Sequence, residues 1–90
     1  MKLVWSSNAG EDYLHWRAAD PDTLARVNDL IKACMRTPFT GIGKAEPLKG
    51  NLKGWWSRRI TGSHRLVYRV KGSGEDHILE IAQCRWHYDE

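Results

Sequence analysis

Two rhythms of apolar residues divide this chain. Leu24, Val27, Leu30, Ile31 and Cys34 recur at steps of three, three, one and three, the spacing that lines side chains along one stripe of a helix. Arg26, Asp29 and Lys32 fall outside the stripe, so the stripe predicts the face that enters the core. Asp20-Pro21 supplies an N-cap and a proline at the first helical position, and Arg36-Thr37-Pro38 ends the helix. Upstream, Lys2-Leu3-Val4-Trp5 is β-branched and aromatic and predicts an opening strand. Ser6, Ser7 and Asn8 offer caps for a first helix running to about Ala19, with Glu11 and Asp12 expected in its first turn, where the helix dipole favours acids.

Beyond Pro38 the rhythm changes. Residues 39–54 carry Gly41, Gly43, Pro47, Gly50 and Gly54 among scattered lysines, and predict an irregular loop. A loop of that length in a small domain is uncommon unless it serves a function. Residues 55–61 and 64–71 are strand-like and flank Gly62-Ser63, so they predict a hairpin. A two-residue turn would oppose Ile60 with Arg65 and mix core with charge. A three-residue loop, 61–63, opposes Ile60 with His64 and Arg59 with Arg65. It gathers Trp56, Ile60, Leu66 and Tyr68 on one face, and Ser57, Arg59, Arg65 and Val67 on the other. The second register separates apolar from basic and is the expected one; its exception is Arg58, which falls on the apolar side. Residues 72–76 form a second turn and 78–88 a last strand. Strand, helix, helix and then three strands make a single α+β domain over residues 1–90, with both helices packed on one face of a small, largely antiparallel sheet.

Charge sharpens the picture. Residues 44–71 hold eight of the fourteen basic residues and one acid, a net +7, while the rest of the chain carries −4. A segment this basic, interleaved with Trp55, Trp56 and Tyr68, suits a phosphate backbone with bases to stack on. Its lone carboxylate, Glu46, repels phosphate and so asks for a chemical reason. With 41% hydrophobic residues and five Trp, one modest core is available, but no deep cavity for a large cofactor. The first residues look like neither a signal peptide nor a membrane span, which predicts a cytoplasmic protein. Cys34 and Cys84 have no CxxC context and read as buried thiols. His15, His64, His77 and His87 lie in four separate elements without ligand spacing, so no metal site and no cofactor is expected.

Glu46, Lys44, Lys49, Arg59, Arg65, His87 and Tyr88 form a parts list for RNA cleavage without a metal. A 2′-hydroxyl needs a proton acceptor, the developing phosphorane needs fixed cations, and the 5′-oxygen needs a proton donor. Glu, Arg or Lys, and His match those needs. The same residues without chemistry would make a non-catalytic RNA- or ribosome-binding face, and that alternative stands beside the first.

At these positions the chain resembles a known family. The runs Met1-Lys2-Leu3-Val4-Trp5-Ser6, Arg36-Thr37-Pro38-Phe39 and Gly43-Lys44-Ala45-Glu46-Pro47-Leu48-Lys49 are similar to those of the RelE/YoeB toxins of toxin–antitoxin systems. So are Gly54-Trp55-Trp56-Ser57-Arg58-Arg59-Ile60-Thr61, His64-Arg65-Leu66-Val67-Tyr68 and Cys84-Arg85-Trp86-His87-Tyr88. The resemblance implies a RelE-like, microbial-RNase-like fold and an endoribonuclease that cuts mRNA in the ribosomal A site. It implies Glu46 as general base and matches Arg65 and the pair His87-Tyr88 to the family's motif residues. With Arg65 and His87 as the other catalytic groups, the parts list leaves Lys44, Lys49, Arg59 and Tyr88 as supporting residues. It also implies a YefM-like antitoxin, contact with operator DNA only through the antitoxin complex, and leaves a homodimer open. The antitoxin is expected on the basic surface, through cations such as Lys53, Arg58 and Arg59. The chain departs from the pattern in a longer, more polar segment over residues 71–77. A second departure is the pair Asp89 and Glu90, which adds two carboxylates after Tyr88.

Overall fold

The computed structural model describes residues 1–88; Asp89 and Glu90 lie outside the described residues. Strand β1 spans Lys2–Trp5, helix α1 Ser7–Ala19 and helix α2 Pro21–Arg36. A two-residue strand β2, Glu46–Pro47, precedes β3 at Trp56–Arg59, β4 at Arg65–Lys71 and β5 at Ile78–Gln83. The sheet order is β1-β5-β4-β3-β2. Only the β1–β5 pair is parallel, and every other neighbour is antiparallel.

The caps fall where the sequence predicts. Ser6 accepts from the Ala9 N–H, and Asp20 accepts from the Thr23 N–H with Pro21 opening α2. Glu11 and Asp12 differ from expectation: they lie beyond the first turn of α1, which holds no acid. Asp12 faces inward with Ala9 and Trp16, so one position of the inner face of α1 is a carboxylate. The α2 stripe enters the core through Val27, Leu30, Ile31 and Cys34. There it meets Ile60, Leu66, Tyr68, Leu79 and Ile81 from the sheet. Both cysteines are free and buried. Burial pushes the Cys34 thiol up to about 11 and the Cys84 thiol to about 12, so neither is a nucleophile near neutral pH.

The hairpin register is the expected one: Arg59 pairs with Arg65, Arg58 with Leu66, Ser57 with Val67 and Trp56 with Tyr68. Arg58 therefore points among apolar side chains and is fully buried. Its Nε donates to the Tyr68 hydroxyl at 3.2 Å, Nη1 to Ile42 O at 3.1 Å, and Nη2 to Thr37 O at 2.5 Å and Thr40 O at 2.8 Å. Tyr68 in turn donates to Pro38 O at 2.6 Å. The loop after α2 is thus tied down by a guanidinium reaching through the core. Arg58 is a structural residue and is removed from the cations available to an antitoxin.

The last strand is shorter than the expected 78–88. It stops at Gln83 because α1 claims the next backbone groups: the Cys84 N–H donates to Asp12 Oδ2 at 3.1 Å, and Trp16 Nε1 donates to Cys84 O at 2.7 Å. A strand whose N–H and C=O are satisfied elsewhere leaves its ladder. Residues 84–88 turn away as a hook.

Candidate active site

Strand alternation assigns the sheet face away from the helices. Glu46 pairs with Ser57 and Ser57 with Val67, so these three side chains form one row across β2, β3 and β4. Val67 in turn pairs with Gln83 of β5 beside a register shift between Val67 and Tyr68. Two residues along, Arg59 and Arg65 form the next row toward the hairpin loop. Diagonal neighbours on such a face lie about 7–8 Å apart at Cα, a spacing a single phosphate can bridge between long side chains. Ser57 and Val67 are buried despite lying on this outer face. The hook contributes there, where the Tyr88 hydroxyl approaches the Ser57 hydroxyl at 3.3 Å and the His87 ring stacks on Tyr88 with centroids 4.9 Å apart. The structure therefore brings Glu46, Ser57, Tyr88 and His87 into one neighbourhood, with the Arg59–Arg65 row beside it.

Local structure explains how Glu46 arrives. Arg59 N–H donates to Gly43 O at 2.6 Å, which presses the loop onto β3. Gly43 has φ +80, and a Cβ there would lie 2.7 Å from Leu30 Cδ2 and 3.2 Å from Arg59 O, so the close approach needs glycine. Lys44 follows in the left-handed region at φ 57, which turns the chain into β2. Its Nζ lies 3.3 Å from Glu46 Oε1, with both side chains well exposed. This ion pair is solvated and contributes little to stability; it holds the carboxylate under a cation.

The cations differ in availability. Arg59 is exposed, while its carbonyl accepts from Arg26 Nη2 at 3.2 Å. Arg65 is half-buried, and its Nη1 donates to the hairpin-loop carbonyls of Thr61 at 2.7 Å, Gly62 at 3.3 Å and His64 at 3.0 Å. One corner of that guanidinium therefore braces the loop. Lys49 is exposed just before the short 3₁₀ turn Gly50–Leu52. Further along the face, Arg69 stacks over the Trp55 ring at 4.2 Å and donates to Glu80 at 2.9 Å, so part of its charge is already matched. Among the described residues, no three His, Cys, Asp or Glu side chains converge as a group that could hold a metal ion. No helix among them is long and apolar enough to cross a membrane.

Two holding residues, Ser57 and Gln83, were not singled out in the sequence, and a third, His64, was not assigned a partner. Ser57 shows no signal beyond a polar residue on the odd face of β3. Gln83 Nε2 donates to the carbonyls of Arg85, Trp86 and His87 at 3.0, 3.2 and 3.2 Å. His64, whose place in the sequence lacks metal-ligand spacing, accepts the Trp86 N–H on Nδ1 at 2.7 Å.

Residues 5–88 match the family model described as YoeB-like toxin of bacterial type II toxin-antitoxin system. The chain belongs to this family. It is 54% identical over 88 residues to Toxin YoeB of Escherichia coli K12, covering 98% of this chain and 100% of that one. Its fold superposes on a YoeB/ParE toxin from Agrobacterium tumefaciens with a TM-score of 0.95 at 55% identity, covering 98% and 100% of the two chains. Staphylococcus aureus YoeB, at 40% identity and 98% coverage of both chains, has been solved as a dimer, TM-score 0.86, and in a heterotetrameric YoeB–YefM complex, TM-score 0.85. The α+β, RelE-like architecture expected for a YoeB-family toxin is the one this chain adopts.

Proposed function

We propose that this YoeB-family toxin is a ribosome-dependent, metal-independent mRNA endoribonuclease. The observation that carries the reading is the placement of the one carboxylate in a basic segment, Glu46, in a row with Ser57 and the incoming Tyr88–His87 stack, beside the Arg59–Arg65 pair. Glu46 accepts the proton of the 2′-hydroxyl, and the 2′-oxygen attacks the adjacent phosphorus. Arg65, with Arg59 and Lys49, offsets the added charge of the phosphorane. His87 as imidazolium gives a proton to the departing 5′-oxygen, and Tyr88 stacks on or orients the scissile nucleotide. The products are a 5′-hydroxyl and a 2′,3′-cyclic phosphate, opened later by water to a 3′-phosphate. Lys44 keeps Glu46 oriented until substrate arrives.

The partner is a YefM-like antitoxin whose acidic segment covers the basic face, as a bare +7 segment would otherwise bind RNA indiscriminately. Operator DNA is met only through that complex. The protein works in the cytoplasm, and a homodimer like that of the S. aureus relative is the simplest assembly of the toxin alone. Primer extension on programmed ribosomes, with free mRNA beside them, tests the activity: breaks confined to the A-site codon are expected. Breaks that need a divalent ion, assayed on a minimal RNA in excess EDTA, would overturn the metal-free mechanism.

Two contacts favour a second reading, a non-catalytic RNA-binding face: Glu46 is ion-paired to Lys44, and Arg65 is partly engaged on loop carbonyls. That reading predicts that Glu46 and His87 are dispensable while Arg59 and Arg65 are not.

A further inference from the structure

The hook that carries His87 and Tyr88 has an unusual backbone. Trp86 is a bulky residue in the left-handed region, φ 69, a conformation that persists only where surrounding contacts impose it. Its side chain is largely exposed, so burial of the indole does not supply the constraint. Hydrogen bonds do. The Trp86 N–H donates to His64 Nδ1 at 2.7 Å, Trp86 O accepts from the Arg65 N–H at 3.0 Å, and Gln83 Nε2 holds the carbonyls on either side. The His64 ring is itself fixed by an edge contact with Trp16, centroids 4.8 Å apart, and a tilted contact with Trp86 at 5.5 Å.

We propose that His64, as a neutral imidazole accepting the Trp86 N–H, is the positioning residue that seats the C-terminal hook and thereby places His87 and Tyr88 on the sheet face. The proposal rests on the nuclease reading above for its functional consequence, and on the hydrogen-bond geometry alone for its structural one. A backbone N–H can only donate, so Nδ1 must present its lone pair and the ring proton resides on Nε2. An imidazolium has donors on both nitrogens and cannot accept. Protonation therefore replaces an N–H···N bond by two opposed donors at the residue before His87, and the hook loses the tie at its turn. The charged and titratable groups around His64 are Arg65, which follows it at the start of β4, Arg85 in the hook, and His15 and Asp12 on α1. Burial, then Arg85, His15 and Arg65, lower its affinity for a proton below the ordinary histidine value, with Asp12 opposing them. Since the folded state binds this proton less readily than the unfolded chain, the hook is secured at neutral pH. It is released only as pH falls below about 6.5. Acid then disables the toxin through its scaffold, independently of any group that touches RNA.

The test uses the full-length chain. In uniformly ¹⁵N-labelled protein at pH 7.5, a scalar coupling across the hydrogen bond is expected between the Trp86 amide nitrogen and His64 Nδ1. On acidification the coupling should vanish, and the Trp86 amide and Tyr88 ring signals should move with the His64 midpoint. His64→Asn keeps an acceptor near the Nδ1 position and cannot be protonated, so the Trp86 amide signal, which reports the tie itself, should stay in place down to pH 5.5. His64→Phe keeps the ring without the acceptor and should show the released signals at every pH. On programmed ribosomes, His64→Phe should lower the single-turnover rate about tenfold, the worth of one hydrogen bond, at unchanged ribosome affinity. His64→Asn should restore it to within about twofold. His64 protonating while the Trp86 and Tyr88 signals stay still, or the Phe variant keeping the parent's hook signals, would overturn the proposal. Should the Phe variant fail to fold, the parent and His64→Asn titrations decide alone. Should the parent cleave nothing, the nuclease reading fails while the spectra still decide the hook.

Discussion

Replacing Arg58 by Met should cost about 3 kcal/mol, and the figure follows from what its guanidinium touches. Four hydrogen bonds run from this fully buried cation to Tyr68 and to the carbonyls of Thr37, Thr40 and Ile42. At about 1.5–3 kcal/mol for each bond to a charged group, a simple total would reach roughly 6–12 kcal/mol. Two effects reduce it. Thr37, Thr40 and Ile42 are exposed, so their carbonyls regain water when the donor leaves. Met also fills most of the space of the arginine stem and removes the desolvation cost of a buried charge, several kcal/mol in its own right. The remainder of about 3 kcal/mol corresponds to a drop of roughly 12–24 °C in Tm for a domain of this size. Lysine should recover less than half, since a point ammonium cannot reproduce the planar fork. Urea titration followed by tryptophan fluorescence measures the loss, and amide exchange locates it. Exchange should accelerate across residues 37–43 while β4 and β5 stay protected. An Arg58→Met protein as stable as the parent, or one whose loop amides exchange unchanged, would refute the idea that this side chain organises the loop leading to Glu46.

Gly43→Ala should destabilise by about 1–3 kcal/mol, through a left-handed backbone and a Cβ set against Leu30 and Arg59 O, measured by the same titration. Asp12→Ala should cost about 1–3 kcal/mol by orphaning the Cys84 N–H, whereas Asn keeps the acceptor. Burial raises the Asp12 carboxyl above its ordinary value, so this group favours the fold below about pH 4 and loses that contribution as pH rises through its folded value. The Asn variant should therefore show a flatter stability–pH curve on the acid side. Arg59→Glu and Lys53→Glu reverse exposed cations and should weaken the complex with an acidic antitoxin, with less salt sensitivity remaining, read by titration at two ionic strengths.

Much of this was legible in the sequence, for identifiable reasons. The α2 stripe and the hairpin register follow from local periodicity, and the three-residue loop could be chosen because only one register separated Ile60 and Leu66 from Arg59 and Arg65. Arg58 appeared as the exception to that pattern, yet nothing local says that Thr37, Thr40 and Ile42 would turn their carbonyls toward it. The overlong last strand failed for the same kind of reason. Residues 84–88 look strand-like, but Asp12 and Trp16, 72 and 68 positions away from Cys84, take its backbone bonds. Strand β2 is two residues long and one of them is Pro47, too short to carry any period. The candidate site residues were readable as types; their convergence depended on β2 pairing and on the hook, and both are long-range.

In the proposed mechanism Glu46 performs chemistry and not only binding. The most direct measurement is the single-turnover cleavage rate of a programmed ribosome by the parent and by Glu46→Gln, with the affinity of each for the ribosome determined separately. Glutamine keeps the shape and removes the proton acceptor, so the rate should fall by about 10²–10⁴ while affinity stays within about threefold. A Glu46→Gln protein that cuts at the parent's rate, or one whose loss in rate is matched by an equal loss in affinity, would leave Glu46 without a role as general base.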